Sequence, residues 1–145
     1  MHRILPIFIL SVFGIAFAPL IGTLPSIAYR QQMASSSSVG ASIHLEPDDM
    51  PQANQASPMQ FVLTQRGGGL IPPENCACQV AIYNSANQAI AQNVPLSTAS
   101  PKAFQAIEAL ITFPAADSYT VVLSGRSKDD KFQPFELIFP VIVRP

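Results

Sequence analysis

Residues 117–125 read DSYTVVLSG, and the fold turns on this stretch. Tyr119, Val121 and Leu123 fall on one face of an extended chain, because strand side chains alternate with a period of two. Thr120, Val122 and Ser124 fall on the other. The same alternation recurs outward in both directions. Downstream, the charged run RSKDDKFQ reads as a hairpin tip, and PFELIFPVIV alternates Phe135, Leu137 and Phe139. Upstream, AFQAIEALITF has two readings. Phe104, Ile107, Leu110 and Ile111 suit a helix, while Ala109, Ile111 and Phe113 suit a strand, and a strand is expected over residues 106–113. Further back, Ile90, Val94 and Leu96 suggest a short irregular edge strand, since Pro95 has no N–H to donate to a ladder. CACQVAIY alternates Cys76, Cys78, Val80 and Ile82. MQFVLTQ alternates Met59, Phe61 and Leu63, and SIHLE alternates Ile43 and Leu45. EPDDMPQANQASP and RGGGLIPPEN are the turn regions between these runs.

About seven short strands, with turn signals every 8–12 residues or so, form the signature of an all-β antiparallel sandwich. Asp117-Ser118-Tyr119 sharpens it. In immunoglobulin-like domains a tyrosine near the start of strand F turns its hydroxyl back onto the preceding corner. Antibodies place a cysteine two residues later, where this chain has Val121, and Phe61 or Leu63 stands where the partner cysteine would be. The chain therefore resembles an immunoglobulin-like sandwich with apolar packing in place of the inter-sheet disulfide. Asp117 and Tyr119 are its expected structural markers.

The layout over roughly residues 42–143 is also similar to small exported sandwiches of the YtkA/FixH-like and CopC-like groups. The likeness rests on the polar turn after SIHLEP, the step GGGLIPPENCACQVAIY and the strand SYTVVLSG. It implies export. CopC-like proteins bind copper through histidines and methionines near their ends. After residue 28 this chain offers His44, Met33, Met50 and Met59, which do not match such a set.

The N-terminus fits export as well. Arg3 precedes about 26 uncharged residues that end at Arg30. Ala16-Phe17-Ala18 has small-x-small spacing, but Pro19 follows it. Ser26-Ile27-Ala28 is the better cleavage point. The apolar run exceeds the ordinary secretory length and is long enough to span a bilayer. Two readings therefore stand for residues 1–28: a cleaved signal peptide, or a transmembrane anchor through residues 4–28 with Arg3 on the cytoplasmic side. Either places the rest of the chain outside the cytoplasm, in a periplasm or lumen or secreted. Residues 29–41, rich in serine, are expected to be a linker, and residues 42–145 the sandwich domain. About 117 residues follow Ala28, enough for one core without disulfide staples.

Composition narrows function. The chain carries 8 basic and 9 acidic side chains, scattered in sign, so no basic surface for nucleic acid is expected. No serine sits in a nucleophile elbow, and the glutamates form no acid/base pair, so no enzyme and no cofactor are expected. Arg66-Gly67-Gly68-Gly69 lacks the Gly-Lys-Ser/Thr that a phosphate loop needs and reads as an ordinary loop. Asp48-Asp49 and Asp129-Asp130 read as solvated turns rather than calcium fragments.

Cys76 and Cys78 are the two cysteines of the chain. On a strand they share a face with Val80 and Ile82, so both are expected to line the core as small apolar side chains. A disulfide between them is the second reading. Its difficulty is the separation of about 6.6 Å between alternate Cα atoms of an extended strand, at the long end of what a disulfide accepts. It requires Cys76 to sit in a turn. The third reading is a soft-metal or thiol-carrier site that would hold Cu(I).

The remaining expectation concerns one end of the sandwich. The topology brings residues 66–75 and 126–133 together. Leu70, Ile71 and Phe132 would give that end apolar anchors beside Arg66, Lys128 and Lys131. The alternative is that these apolar side chains fold back over the core. The function expected is a non-enzymatic extracytoplasmic domain that binds a protein or serves a membrane complex.

Overall fold

The structure, a computed structural model, describes residues 32–36, 38–98 and 105–145. The signal or anchor segment expected at residues 1–28 lies outside the described residues. Nine strands are present among those described: β1 Gln32–Ser35, β2 Val39–Leu45, β3 Ala56–Gln65, β4 Cys76–Tyr83, β5 Ala89–Ala91, β6 Ser97–Thr98, β7 Ala106–Thr112, β8 Ser118–Ser127 and β9 Phe135–Ile142. They form two antiparallel sheets, ordered β1-β2-β3-β7-β6 and β5-β4-β8-β9. With β1 set aside, the first sheet has the A-B-E-D order of an immunoglobulin-type sandwich and the second the C′-C-F-G order.

The core is the set of inward positions that alternation picks out. Ile43, Met59, Phe61, Leu63, Val80, Ile82, Val121, Leu123, Leu137 and Phe139 are all buried. Phe61 of β3 meets Phe139 of β9 across the sandwich, with ring centroids 5.8 Å apart. The ambiguous stretch before Phe113 is strand, as expected: Gln60, Phe61 and Val62 of β3 pair with Glu108, Ile107 and Ala106 of β7. Tertiary pairing settles a local sequence that suits either state.

The tyrosine corner is present. Tyr119 Oη donates to the carbonyl oxygen of Ala115 at 2.9 Å, and its ring lies 4.9 Å from that of Phe113. Asp117 accepts hydrogen bonds from the hydroxyl of Ser85 (2.7 Å) and the amide of Ser118 (2.7 Å), which hold its carboxyl below the usual carboxylate range. Tyr119→Phe keeps the packing and removes the hydroxyl. It is expected to cost about 1–1.5 kcal/mol of unfolding free energy, measured by urea denaturation.

Two expectations need correcting. The supposed linker is partly structured. Gln32–Ser35 pairs with Gly40 to Ile43 of β2, and Val39 and Ala41 are buried. Ser36 serves the turn: it donates its amide to Val39 O at 2.7 Å, and its Oγ accepts from the Val39 amide at 3.2 Å. The single edge strand expected around Ile90, Val94 and Leu96 is two strands in different sheets. β5 pairs with β4 and β6 with β7. Asn93 adopts φ 51° and Val94 is buried, so the chain turns inward there and crosses between sheets before Pro95.

Candidate functional site at one end of the sandwich

β3 leaves its sheet through a tight turn. Gly68 N donates to Gln65 O at 2.9 Å and Gln65 N to Gly69 O at 2.7 Å. Gly67 and Gly68 have φ of 102° and 100°, a conformation that explains the glycines without any anion. The chain then doubles back along β3, with Ile71 N bonded to Leu63 O at 2.9 Å. Pro72 leads into a single 3-10 turn, Pro73–Asn75, and β4 begins at Cys76.

The tip between β8 and β9 lies against this loop, as the sequence suggests. Lys128 N donates to Asn75 O at 2.9 Å, and Gln65 Nε2 donates to Lys131 O at 2.7 Å. Within the tip, the Ser127 hydroxyl donates to Asp129 at 2.7 Å and Lys131 Nζ lies 3.1 Å from the same carboxylate. Ser127 first and Lys131 second hold the Asp129 carboxyl below its ordinary range.

The six candidate residues of this end divide. Arg66, Leu70, Lys128 and Lys131 are exposed, Leu70 by 54%. Ile71 and Phe132 are buried, at 4% and 6%, and Phe132 packs 5.8 Å from Phe135. These two fold back over the end of the core and are not surface anchors. Ile71 turns inward because its bond to Leu63 continues the ladder, and ladder register fixes which side a residue faces. A depression of about 280 Å³ remains between Leu70, Pro72 and Lys131.

Cys76 and Cys78 are bonded to each other, with their Cα atoms 5.2 Å apart. The expected pair of free thiols in the core is therefore corrected, although the shared face was read properly. The strand contracts locally below the regular spacing, at its first residues after the 3-10 turn. Gly125, opposite Cys78 on β8, leaves the sulfurs room. A Cβ built there would lie 2.8 Å from Cys76 Sγ and 2.8 Å from Phe135 Cζ. Cys76 is 5% exposed and joins the core, while Cys78 is only partly buried. Two surface concavities adjoin this part of β4, one on each face. One, of about 530 Å³, is lined by Cys78, Ser124, Gly125 and Arg126 among others. The other, of about 230 Å³, is lined by both cysteines, Glu74, Leu96 and Lys128 among others.

At the opposite end, Asp49 is a residue that composition alone misplaced. Its side chain is 7% exposed, not solvated. It accepts from the Leu45 amide at 2.9 Å and lies 2.7 Å from His44 Nδ1. Asp48 and Asp49 both have positive φ, after a cis Glu46–Pro47 bond. Asp49 is drawn in because an Asx side chain can satisfy a nearby backbone amide at a turn. Met59 is in the core, and Met33 and Met50 are exposed. Among the described residues no cluster of three or more His, Cys, Asp or Glu is placed to hold a metal ion.

No protein-family model and no curated protein matches the chain. Among solved structures, the chain is similar to a DUF4426 family protein (PA0388) from Pseudomonas aeruginosa PAO1. The TM-score is 0.54 at 9% identity, over 77% of this chain and 94% of the other. At that identity the likeness establishes the shared sandwich fold and no more.

Proposed function

We propose that this chain is a non-enzymatic, extracytoplasmic immunoglobulin-like module that docks a protein partner, as an accessory of an envelope or membrane complex. The supporting observation is the loop end itself. Two loops hydrogen-bonded to each other present exposed Leu70 at a depression that Lys131 and Asp129 also line, with Lys128 exposed on the same tip. Rigid loops at the end of a sandwich are the usual binding device of this fold. The complementary partner surface offers an apolar contact for Leu70 within charges of both signs, since the tip carries Lys128, Asp129, Asp130 and Lys131 and the apolar contact slows dissociation. The layout similar to YtkA/FixH-like and CopC-like exported sandwiches belongs to the same reading. A Cu(I) carrier built on Cys76 and Cys78 is the other reading, and it applies to a reduced form with two thiolates.

The test is a pull-down with the full chain and with Leu70→Asp. The substitution is expected to lower partner recovery about ten-fold, as removal of a central contact does, with the melting temperature unchanged. Equal recovery would remove this end from the proposal.

A further inference from the structure

We infer that the Cys76–Cys78 cystine is a thiol-exchange site, attacked at Cys78 by the thiolate of a partner dithiol. The inference is independent of docking at the loop end.

The first ground is what the bond does not do. A disulfide stabilises by closing a loop in the unfolded chain, and its effect grows with loop length. This one spans a sequence separation of 2 and ties no distant elements together. β4 is already held to β8 by an unbroken register from Cys76↔Ser127 to Tyr83↔Thr120. The fold does not need the bond to place β4.

The second ground is access. Exchange requires a thiolate to reach one sulfur along the S–S axis, from the side opposite the leaving sulfur. Cys76 is 5% exposed and packed in the core, whereas Cys78 is partly buried and borders the smaller concavity, which Thr98 and Ile107 of the facing sheet also line. The asymmetry selects Cys78 as the sulfur attacked and Cys76 as the leaving group.

The third ground is charge. Lys128 lines the smaller concavity together with both cysteines, where Glu74 is the single carboxylate. A neighbouring cation favours thiolate over thiol, both for an incoming nucleophile and for the departing Cys76.

A partner thiolate forms a bond to Cys78 Sγ, the Cys76–Cys78 bond breaks, and Cys76 leaves with the electron pair and takes up a proton. The partner's second thiol loses its proton and attacks its own sulfur in the mixed disulfide. Cys78 departs as thiolate and is protonated. Two electrons and two protons pass from the partner, which becomes a disulfide, to this chain, which becomes a dithiol.

The full chain, purified without reductant, is treated with glutathione, and newly formed thiols are trapped and counted by mass. A cystine open to exchange is expected to be reduced in the folded protein within about ten-fold of its rate in denaturant, since access is then not limiting. A larger gap between the folded and denatured rates overturns the proposal. In Cys76→Ser, a reactive aromatic disulfide is expected to modify Cys78 about ten-fold faster than it modifies Cys76 in Cys78→Ser. The reverse order overturns the assignment. Should either variant fail to fold, the wild-type rate ratio decides.

Discussion

Phe61→Ala is expected to lower the unfolding free energy by about 3–5 kcal/mol, the range for removing a fully buried aromatic side chain. Phe61 sits mid-strand in β3, between Ile43 of β2 and Ile107 of β7, with 0% exposure. Its ring faces that of Phe139 from the other sheet at 5.8 Å and an interplanar angle of 56°. Truncation therefore opens a cavity at the junction of both layers. It also removes a tilted aromatic pair worth about 0.5–1.5 kcal/mol beyond its buried area. The check is a urea transition with a lower midpoint and an unchanged slope, which reports lost stability without a change in the surface exposed. Leu110→Ala serves as the control. Leu110 lies on the neighbouring strand β7 but is 63% exposed, so its truncation is expected to stay within about 0.5 kcal/mol of wild type. Equal effects from the two substitutions would mean that the inward face of the first sheet has been misassigned.

The contrast between Phe61 and Leu110 shows what alternation makes legible. Where a strand has one buried face, period two identifies that face from sequence. Phe61, Leu63, Val80, Ile82, Val121, Leu123, Leu137 and Phe139 were all readable in this way, and all are buried. The tyrosine corner was legible because it depends on three adjacent residues and a local turn. Three features were not settled by the sequence, for different physical reasons. β1 is short, at a sheet edge and runs into the serines at 35–38, so the stretch resembles a linker, and only pairing with β2 reveals it. Leu70 and Ile71 are adjacent and both apolar. Which one faces outward depends on a cross-loop bond to Leu63 that no local pattern encodes. The cystine stood only as the second reading because regular strand spacing was assumed up to the first residue of β4, where the preceding 3-10 turn permits a shorter one. One sign of it was nonetheless present in the stretch DSYTVVLSG. Gly125 has the same inward parity as Tyr119, Val121 and Leu123. A glycine at an inward position of a central strand signals that something else fills the space its side chain would take.

That position carries the second large effect. Gly125→Ala is expected to cost about 2–3 kcal/mol, typical of forcing an extra carbon into a packed core, and Gly125→Val more. The new Cβ would lie 2.8 Å from Cys76 Sγ, and 2.8 and 2.9 Å from Cζ and Cε1 of Phe135. Neither neighbour yields easily. The sulfur is tied to Cys78, and the Phe135 ring is itself wedged against Phe132. The sign is informative, because Gly125 shows no positive φ. An alanine on ordinary strand backbone with space around it stabilises by about 0.4–1 kcal/mol through the unfolded state. Urea denaturation of Gly125→Ala therefore separates the two cases by direction alone. Combining it with Phe135→Leu, which withdraws the ring atoms, is expected to recover at least about 1 kcal/mol relative to additivity, as contacting residues do. A stabilising Gly125→Ala would mean that the sulfurs do not occupy the space opposite β8. Cys78 would then not be the accessible partner of a core-packed Cys76, and the order of attack proposed for the cystine would fall with it.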